Sequence, residues 1–329
     1  MGIDAVNHFS KGTRKKDVEE FLQILGYERL ERGEIERNLN STPYYYFKED
    51  DYKHVTGIIA WVYINDEEEL VTHTRTSIWR SKFDADFHNF TIKQLWKRFG
   101  GWFESDWGKR RYVKYDGPIR EKSEGGCYLA FSRFERNLTK AKIYVQYRDF
   151  SNLKFPEPGI FPELDDANPM IISNNMAVPF FVSIIEDYFK WTYLALLQYS
   201  PKKASVLKNA RFSDDDLEAI SSKLISIEEA AVRWMSFQNL QKISKYFKHL
   251  DKNLDIFGIL KKPYRRQKET LYEGLEQIIE HRHLLIHHGT ILPTYLPKDV
   301  QKDLDIIEAA VKRVYDALIT QYGWDKTYL

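Results

Sequence analysis

The chain has 329 residues, 43% hydrophobic and 15% aromatic, enough to fill two ordinary cores and to exclude intrinsic disorder. Charged residues make up 29% yet cancel to a net charge of +1, which excludes a globally basic nucleic-acid binder and confines any such site to a local patch. The single cysteine, Cys127, excludes an internal disulfide framework and a multi-cysteine zinc site, and it fits a reducing cytoplasm, the expected location.

Met1–Gly12 holds no apolar run of signal-peptide length, and Val6 stands where a myristoylation motif wants Ser or Thr. Lys16–Leu25, closed by Gly26, predicts a helix. Tyr44–Phe47, Val55–Ile64 and Leu70–Trp79 predict strands, and Thr91–Phe99, closed by Gly100-Gly101, a second helix. Gly126–Thr139 fits helix and strand equally, and Ile143–Tyr147 predicts a further strand. Residues 1–154 are therefore expected to form an α+β module.

Within that module the window Lys93–Tyr115 has a net charge of +5, with seven aromatic residues interleaved among the cations. Stacking rings beside cations suit an unpaired base and its phosphate, which makes Trp102, Trp107, Lys109, Arg110 and Arg111 a candidate ligand patch. A small aromatic core with a solvated basic rim explains the same pattern. By analogy with other two-part proteins, this module is where an antitoxin or trigger molecule is expected to act.

Residues 155–172, with Pro156, Pro158, Gly159, Pro162 and Pro169, predict a linker. Beyond it, 173–329 reads as all helical. Val178–Tyr199 has Pro179 in its first turn. The longest apolar stretch, Met176–Tyr199, is broken by Glu186, Asp187 and Lys190, which predicts a buried helix and no membrane partner. Ser213–Lys223 is capped by Ser213, and Ser226–Leu250 opens with a Ser226–Glu229 pair. The basic residues Lys261, Lys262, Arg265, Arg266 and Lys268 lead into Tyr264–His288 and are the candidate RNA-binding patch. In Lys298–Tyr322 the residues Val300, Leu304, Ile307, Val311, Val314 and Leu318 recur in a strict 4-3 pattern, a bundle core or a dimer seam. Four long helices with one apolar face each predict a bundle.

The third of them carries Leu271, Leu275, Ile278, Ile279, Leu285 and Ile286 at helical spacing, with Arg282 near the centre of that face. A guanidinium there needs a carboxylate, and Glu186, Asp187 and Glu280 are the candidates. Four of the nine histidines fall between His281 and His288. Three readings compete. Cations at a helix C-terminus complement the macrodipole, with Gly289 as the cap. His283 and His287, four apart, share a helix face as metal ligands do, but no third ligand at a recognisable spacing accompanies them. In the third reading Arg282 and His287 act on a phosphodiester: the imidazole moves the 2′-hydroxyl proton while the guanidinium stabilises the phosphorane, with no metal or cofactor. Their Cα atoms lie roughly 8–9 Å apart on an ideal helix, but the side chains point about 140° apart unless Gly289 unwinds the last turn.

Arg282-His283-Leu284-Leu285-Ile286-His287 resembles the arginine, four to six residues, histidine motif of the HEPN superfamily (higher eukaryotes and prokaryotes nucleotide-binding), with the polar residue usual after the arginine supplied by His283. The resemblance covers roughly residues 170–325. It implies a HEPN-like helical bundle that dimerises with both motifs lining one cleft, and a metal-independent endoribonuclease of the toxin–antitoxin or anti-phage kind. RNA would be left with 2′,3′-cyclic phosphate and 5′-hydroxyl ends. The candidate catalytic residues are Arg282, His287, His288 and His283, with His288 a rival to His287. The alternatives are a non-catalytic nucleotide- or RNA-binding sensor and a protein-interaction scaffold.

Overall fold

The computed structural model describes residues 2–30, 41–48, 51–150, 167–265 and 268–324. It divides into two compact units, Met1–Gly125 and Gly126–Leu329. The composition change had placed the boundary at 154. The contacts divide earlier because the segment that fitted helix and strand equally is one long helix, whose residues from Gly126 belong to the second unit.

Among the described residues of the first unit, seven strands form an antiparallel sheet: β1 (Gly2–His8), β2 (Glu28–Arg29), β3 (Thr42–Tyr46), β4 (Ile58–Ile64), β5 (Leu70–Ser77), β6 (Trp102–Ser105) and β7 (Gly108–Lys109). Their order is β2-β3-β4-β5-β1-β6-β7. The expected strands β3, β4 and β5 are there. β1, inside the sheet between β5 and β6, was not expected, because its inward side alternates Ala5 with a buried Asn7, whose amide donates to the Ile92 carbonyl at 3.1 Å. Two helices, α1 (Lys15–Ile24) and α2 (Lys82–Phe99), pack on the sheet. Val18 and Leu22 of α1 and Leu95 of α2 close over Tyr44, Tyr46, Ile58, Ala60 and Val62. α2 begins nine residues before the predicted Thr91, at a capping box formed by Ser81 and Asp84. Gly100 and Gly101 have positive φ, and a Cβ at Gly101 would fall 2.0 Å from the His8 carbonyl oxygen, so this turn is fitted to the chain's own backbone.

The second unit holds α3 (Lys122–Tyr147, from Gly126), α4 (Pro169–Tyr199), α5 (Lys203–Lys208), α6 (Asp214–Ser221), α7 (Ile227–Arg233), α8 (Leu240–Leu250), α9 (Ile256–Lys261), α10 (Leu271–His288) and α11 (Pro297–Tyr322). The predicted strand Ile143–Tyr147 is the end of α3. Cys127, Phe131, Phe134, Leu138 and Ala141 are buried at steps of four and three, so helical packing overrides the local β propensity. Phe131 stacks on Tyr315 at 4.2 Å, and Phe134 meets Tyr188 at 5.7 Å, which sets α3 against α11 and α4. α4 starts at Pro169, inside the expected linker, because Asn168 caps it and Pro169 is its first residue. Pro179 therefore lies within a helix rather than in a first turn. The rest of that linker, 155–166, lies outside the described residues. By length and composition α4 is apolar enough to cross a membrane, but half of its most apolar window is buried, as in a core helix. Val300, Leu304, Ile307, Val311, Val314 and Leu318 are all fully buried, so the 4-3 seam is bundle core.

Tyr295, in the α10–α11 connection, donates to the Asp303 carboxylate at 2.6 Å. Burial pushes the Asp303 carboxyl up to about 6, against an ordinary 3.8. The folded state thus favours its protonated form, and the stability from this group is present at acid pH and lost as pH rises through about 6. Asp303→Asn, which keeps an acceptor for Tyr295, is expected to flatten the stability profile between pH 4 and 6 by up to about 3 kcal/mol, with no loss at pH 8. Urea denaturation at several pH values checks this; an unchanged slope refutes it.

Candidate functional site

α10 is capped at both ends. Thr270 and Glu273 form a capping box at its start, and Gly289 takes the left-handed conformation at its end. The helix is regular through His288, so Gly289 does not unwind the last turn. Its buried side is Leu271, Gly274, Leu275, Ile278, His281 and Leu285. His281 is buried at the edge of that inward face, Arg282 lies near its centre by helix geometry but is only half-buried, and Ile286 is 52% exposed. Leu271, Leu275, Ile278 and Leu285 of the expected stripe are buried, while Ile279 and Arg282 are half-buried and Ile286 is outside it.

His281 is inward because a partner is built for it. The Asn175 side chain of α4 faces His281 Nε2 at 2.8 Å, accepts the Leu292 backbone N–H at 2.9 Å and donates to the Ile171 and Leu292 carbonyls. The neighbouring Asn174 donates to the Tyr295 carbonyl at 2.7 Å, and the Tyr295 ring meets His281 edge-on at 4.5 Å. Burial pushes the His281 imidazole below its ordinary value, so it stays neutral.

Arg282, on the same side as Leu275 and Ile278, is half-buried, and its charge acts on Glu186 of α4. Burial raises the Glu186 carboxyl, while a hydrogen bond from the Gln238 side chain and the charge of Arg282 pull the other way. Of the three expected carboxylates, Glu186 is therefore the one that acts on Arg282. Asp187 is engaged by Trp191 Nε1 at 2.9 Å, and Glu280 is exposed. Among the described residues Arg282 makes no direct hydrogen bond or close ion pair. It is a positive charge with its donors open.

The histidines separate from it. His283 and His287 lie 4.5 Å apart by ring centroid, and His283 and His288 5.9 Å apart, all three exposed at the end of α10. Within one chain the structure brings these three together and leaves Arg282 on another face. Among the described residues no group of three or more His, Cys, Asp or Glu side chains is arranged to hold a metal.

An open cavity of about 300 Å³ adjoins Glu186, lined by Ser183, Glu186, Asp187 and Lys190 of α4 and by Val232, Arg233, Met235 and Phe237. Sequence reasoning missed it because Ser226–Leu250 read as one helix. The chain leaves the helix after Arg233 so that Phe237 can pack on Tyr193 and Tyr246, and Asn239 then caps α8. Ser236 and Asn239, both cap-forming residue types, were the available signal.

The other candidates lie elsewhere. Lys261 holds its ammonium over Phe257 at 4.3 Å, Arg265 lies over Tyr264, Lys262 and Lys268 are exposed, and Arg266 is outside the described residues. Lys261 ends α9, and Lys262, Arg265 and Lys268 precede α10, whose first residue Leu271 is about 17 Å along the axis from Arg282. In the first unit His8 stacks on Trp102 at 3.9 Å, and Lys109 Nζ lies 3.9 Å over the same ring. Two contacts that short cannot share a face, so Trp102 offers no free face to a base. Trp107 packs on the core around Phe103, and Arg110 and Arg111 are exposed. The geometry is that of an aromatic core with a basic rim.

No family model, no curated protein and no solved structure matches the chain.

The Asn175 clasp generates a prediction. Asn175→Ala leaves the His281 ring and the Leu292 amide without a partner and is expected to cost about 2–4 kcal/mol, roughly two buried polar groups left unpaired. Hydrogen exchange should show the Leu292 amide deprotected well before α11. Unchanged protection at Leu292 would show that the clasp does not hold the loop.

Proposed function

We propose that the second unit is a HEPN-like bundle acting on RNA as a metal-independent endoribonuclease, of the kind used in toxin–antitoxin or anti-phage systems, with its site completed by a second copy of the chain. The observation that carries this reading is Arg282: a guanidinium with open donors, held beside a half-buried carboxylate, within six residues of three imidazoles (His283, His287 and His288) without hydrogen-bond partners among the described residues. A half-buried arginine fits a phosphate with its planar fork, and an exposed imidazole moves protons near neutral pH. On a regular helix Arg282 and His287 diverge by about 140°, so a second copy is needed to bring an imidazole opposite each guanidinium. Ile286, on the same side of α10 as Arg282, and Ile172, Met176 and Phe180 at four-residue steps on α4 are exposed apolar side chains that such a copy would cover. The same divergence favours a second reading, a nucleotide- or RNA-binding sensor without catalysis.

Incubation with total RNA in EDTA tests the proposal. New 2′,3′-cyclic phosphate ends are expected from the wild type. His287→Ala should abolish cleavage while RNA binding survives, because proton transfer matters only in the transition state, and His288→Ala tells the rivals apart. Arg282→Lys should not restore activity, since an ammonium lacks the two-pronged contact. Light scattering should give about twice 39.1 kDa at micromolar concentration. RNA binding without cleavage leaves the sensor; cleavage that stops on chelation and returns with zinc overturns the mechanism.

Substrate capture is a separate expectation. Neutralising Lys261, Lys262, Arg265, Arg266 and Lys268 together should weaken RNA binding and reduce its salt slope by up to about 3.5 to 4.5 units, because fewer counterions are released. An unchanged slope would reduce the patch to a solvated helix start.

A further inference from the structure

The cavity between α4 and the α7–α8 break is unused by the chemistry proposed for Arg282 and the histidines. Its volume of about 300 Å³ equals roughly ten water volumes, the scale of one bicyclic base of about eleven non-hydrogen atoms. Val232 and Phe237 are buried behind the cavity, and the half-buried Met235 is the apolar side chain on which a flat ring can lie. The polar side is set by Glu186, Asp187, Lys190 and Arg233.

These groups differ in availability. Asp187 is committed to Trp191 Nε1, and Arg233 lies 3.7 Å from both Asp216 and Glu229. Lys190 has no ion pair among the described residues. Glu186 is half-buried, with Gln238 and the charge of Arg282 opposing the effect of burial. An ionised carboxylate only accepts, and its two oxygens match two adjacent N–H donors. Among the four RNA bases only guanine presents such a pair on its pairing edge. Adenine and cytosine offer one donor beside an acceptor, and uracil a donor between two acceptors. Lys190, one helical turn beyond Glu186, supplies a cation for the attached phosphate.

We infer that this cavity is a guanine-binding subsite, in which Glu186 accepts from the guanine N1–H and N2–H, Met235 lies against the ring, and Lys190 faces the nucleotide phosphate. The inference rests on the RNA-directed reading above and deepens it: the cavity would select a guanosine next to the scissile phosphate held at Arg282.

Calorimetric titration of the full chain with 5′-GMP, AMP, CMP and UMP tests it. GMP is expected to bind at least tenfold more tightly than the other three, the discrimination that a two-pronged base contact gives. Glu186→Gln should reduce that preference to less than threefold, with folding confirmed by an unchanged thermal midpoint. Lys190→Ala is the second variant: it should weaken GMP several-fold more than it weakens guanosine. Equal affinity for the four nucleotides, or an undiminished preference in a folded Glu186→Gln protein, overturns the subsite. The cleavage assay is scored separately. Selective GMP binding without cleavage sinks the ribonuclease reading and keeps the subsite. Cleavage in EDTA without base preference and without selective binding does the reverse.

Discussion

The rotational setting of α10 depends on one buried contact, His281 against the side chain of Asn175. A regular helix turns about 100° per residue, so fixing one side chain inward fixes the direction of every other. With His281 and the leucine face against the core, Arg282 lies half-buried near Glu186, and His283, His287 and His288 fall on a separate exposed patch. Full burial of Arg282 would have required desolvation of its charge and a direct ion pair, at a cost of several kcal/mol, roughly. A neutral imidazole with a ready acceptor is much less costly to bury, and the lowered titration of His281 is the signature of that choice. Asn175 also holds the Leu292 backbone, so the contact that sets the helix sets the following turn as well.

This explains which parts of the molecule are legible in sequence. The seam of α11 was, because each of its positions is apolar and they recur at four- and three-residue steps. The caps at Ser213 and Gly289 were, because cap chemistry is local. The leucine and isoleucine face of α10 was legible too, but the burial of His281 was not, because its partner Asn175 is 106 residues away. The break between α7 and α8 was hidden for a related reason. It exists so that Phe237 can reach Tyr193, a long-range contact, and the local pattern of Ser226–Leu250 suits a continuous helix equally well. In the first unit β1 escaped notice because a satisfied Asn7 occupies an inward position, which blurs the alternation that marks a strand.

Buried polar side chains recur at these junctions. Asp84 is fully buried yet receives hydrogen bonds from Ser81, Val55, Thr56 and His54; burial alone would raise its carboxyl, and those bonds hold it below its ordinary value. It starts α2 and fastens the segment before β4 in the same stroke. Asn174 and Asn175 do the corresponding work between α4 and the α10–α11 turn. Apolar packing fills both units, but it tolerates small rotations of a helix, whereas a satisfied polar cluster tolerates few. Polar groups therefore decide orientation here, and orientation decides which face of α10 carries chemistry.

On the proposed reading, separation of the guanidinium from the imidazoles has a functional consequence. A helix that cannot present Arg282 and His287 to the same phosphate is inert as a single chain, however well each group is placed. Assembly then becomes the step that creates the site, and the exposed apolar side chains Ile172, Met176, Phe180 and Ile286 are where the energy for it would come from. The carboxylate of Glu186 fits the same logic. Half-buried between Arg282 and the cavity, it keeps the guanidinium in position without consuming its donors, so the phosphate-binding capacity of Arg282 persists until a substrate arrives. A tight Arg282–Glu186 ion pair would stabilise the monomer more and leave less for the ligand; the looser arrangement is what a binding site, rather than a structural bridge, requires.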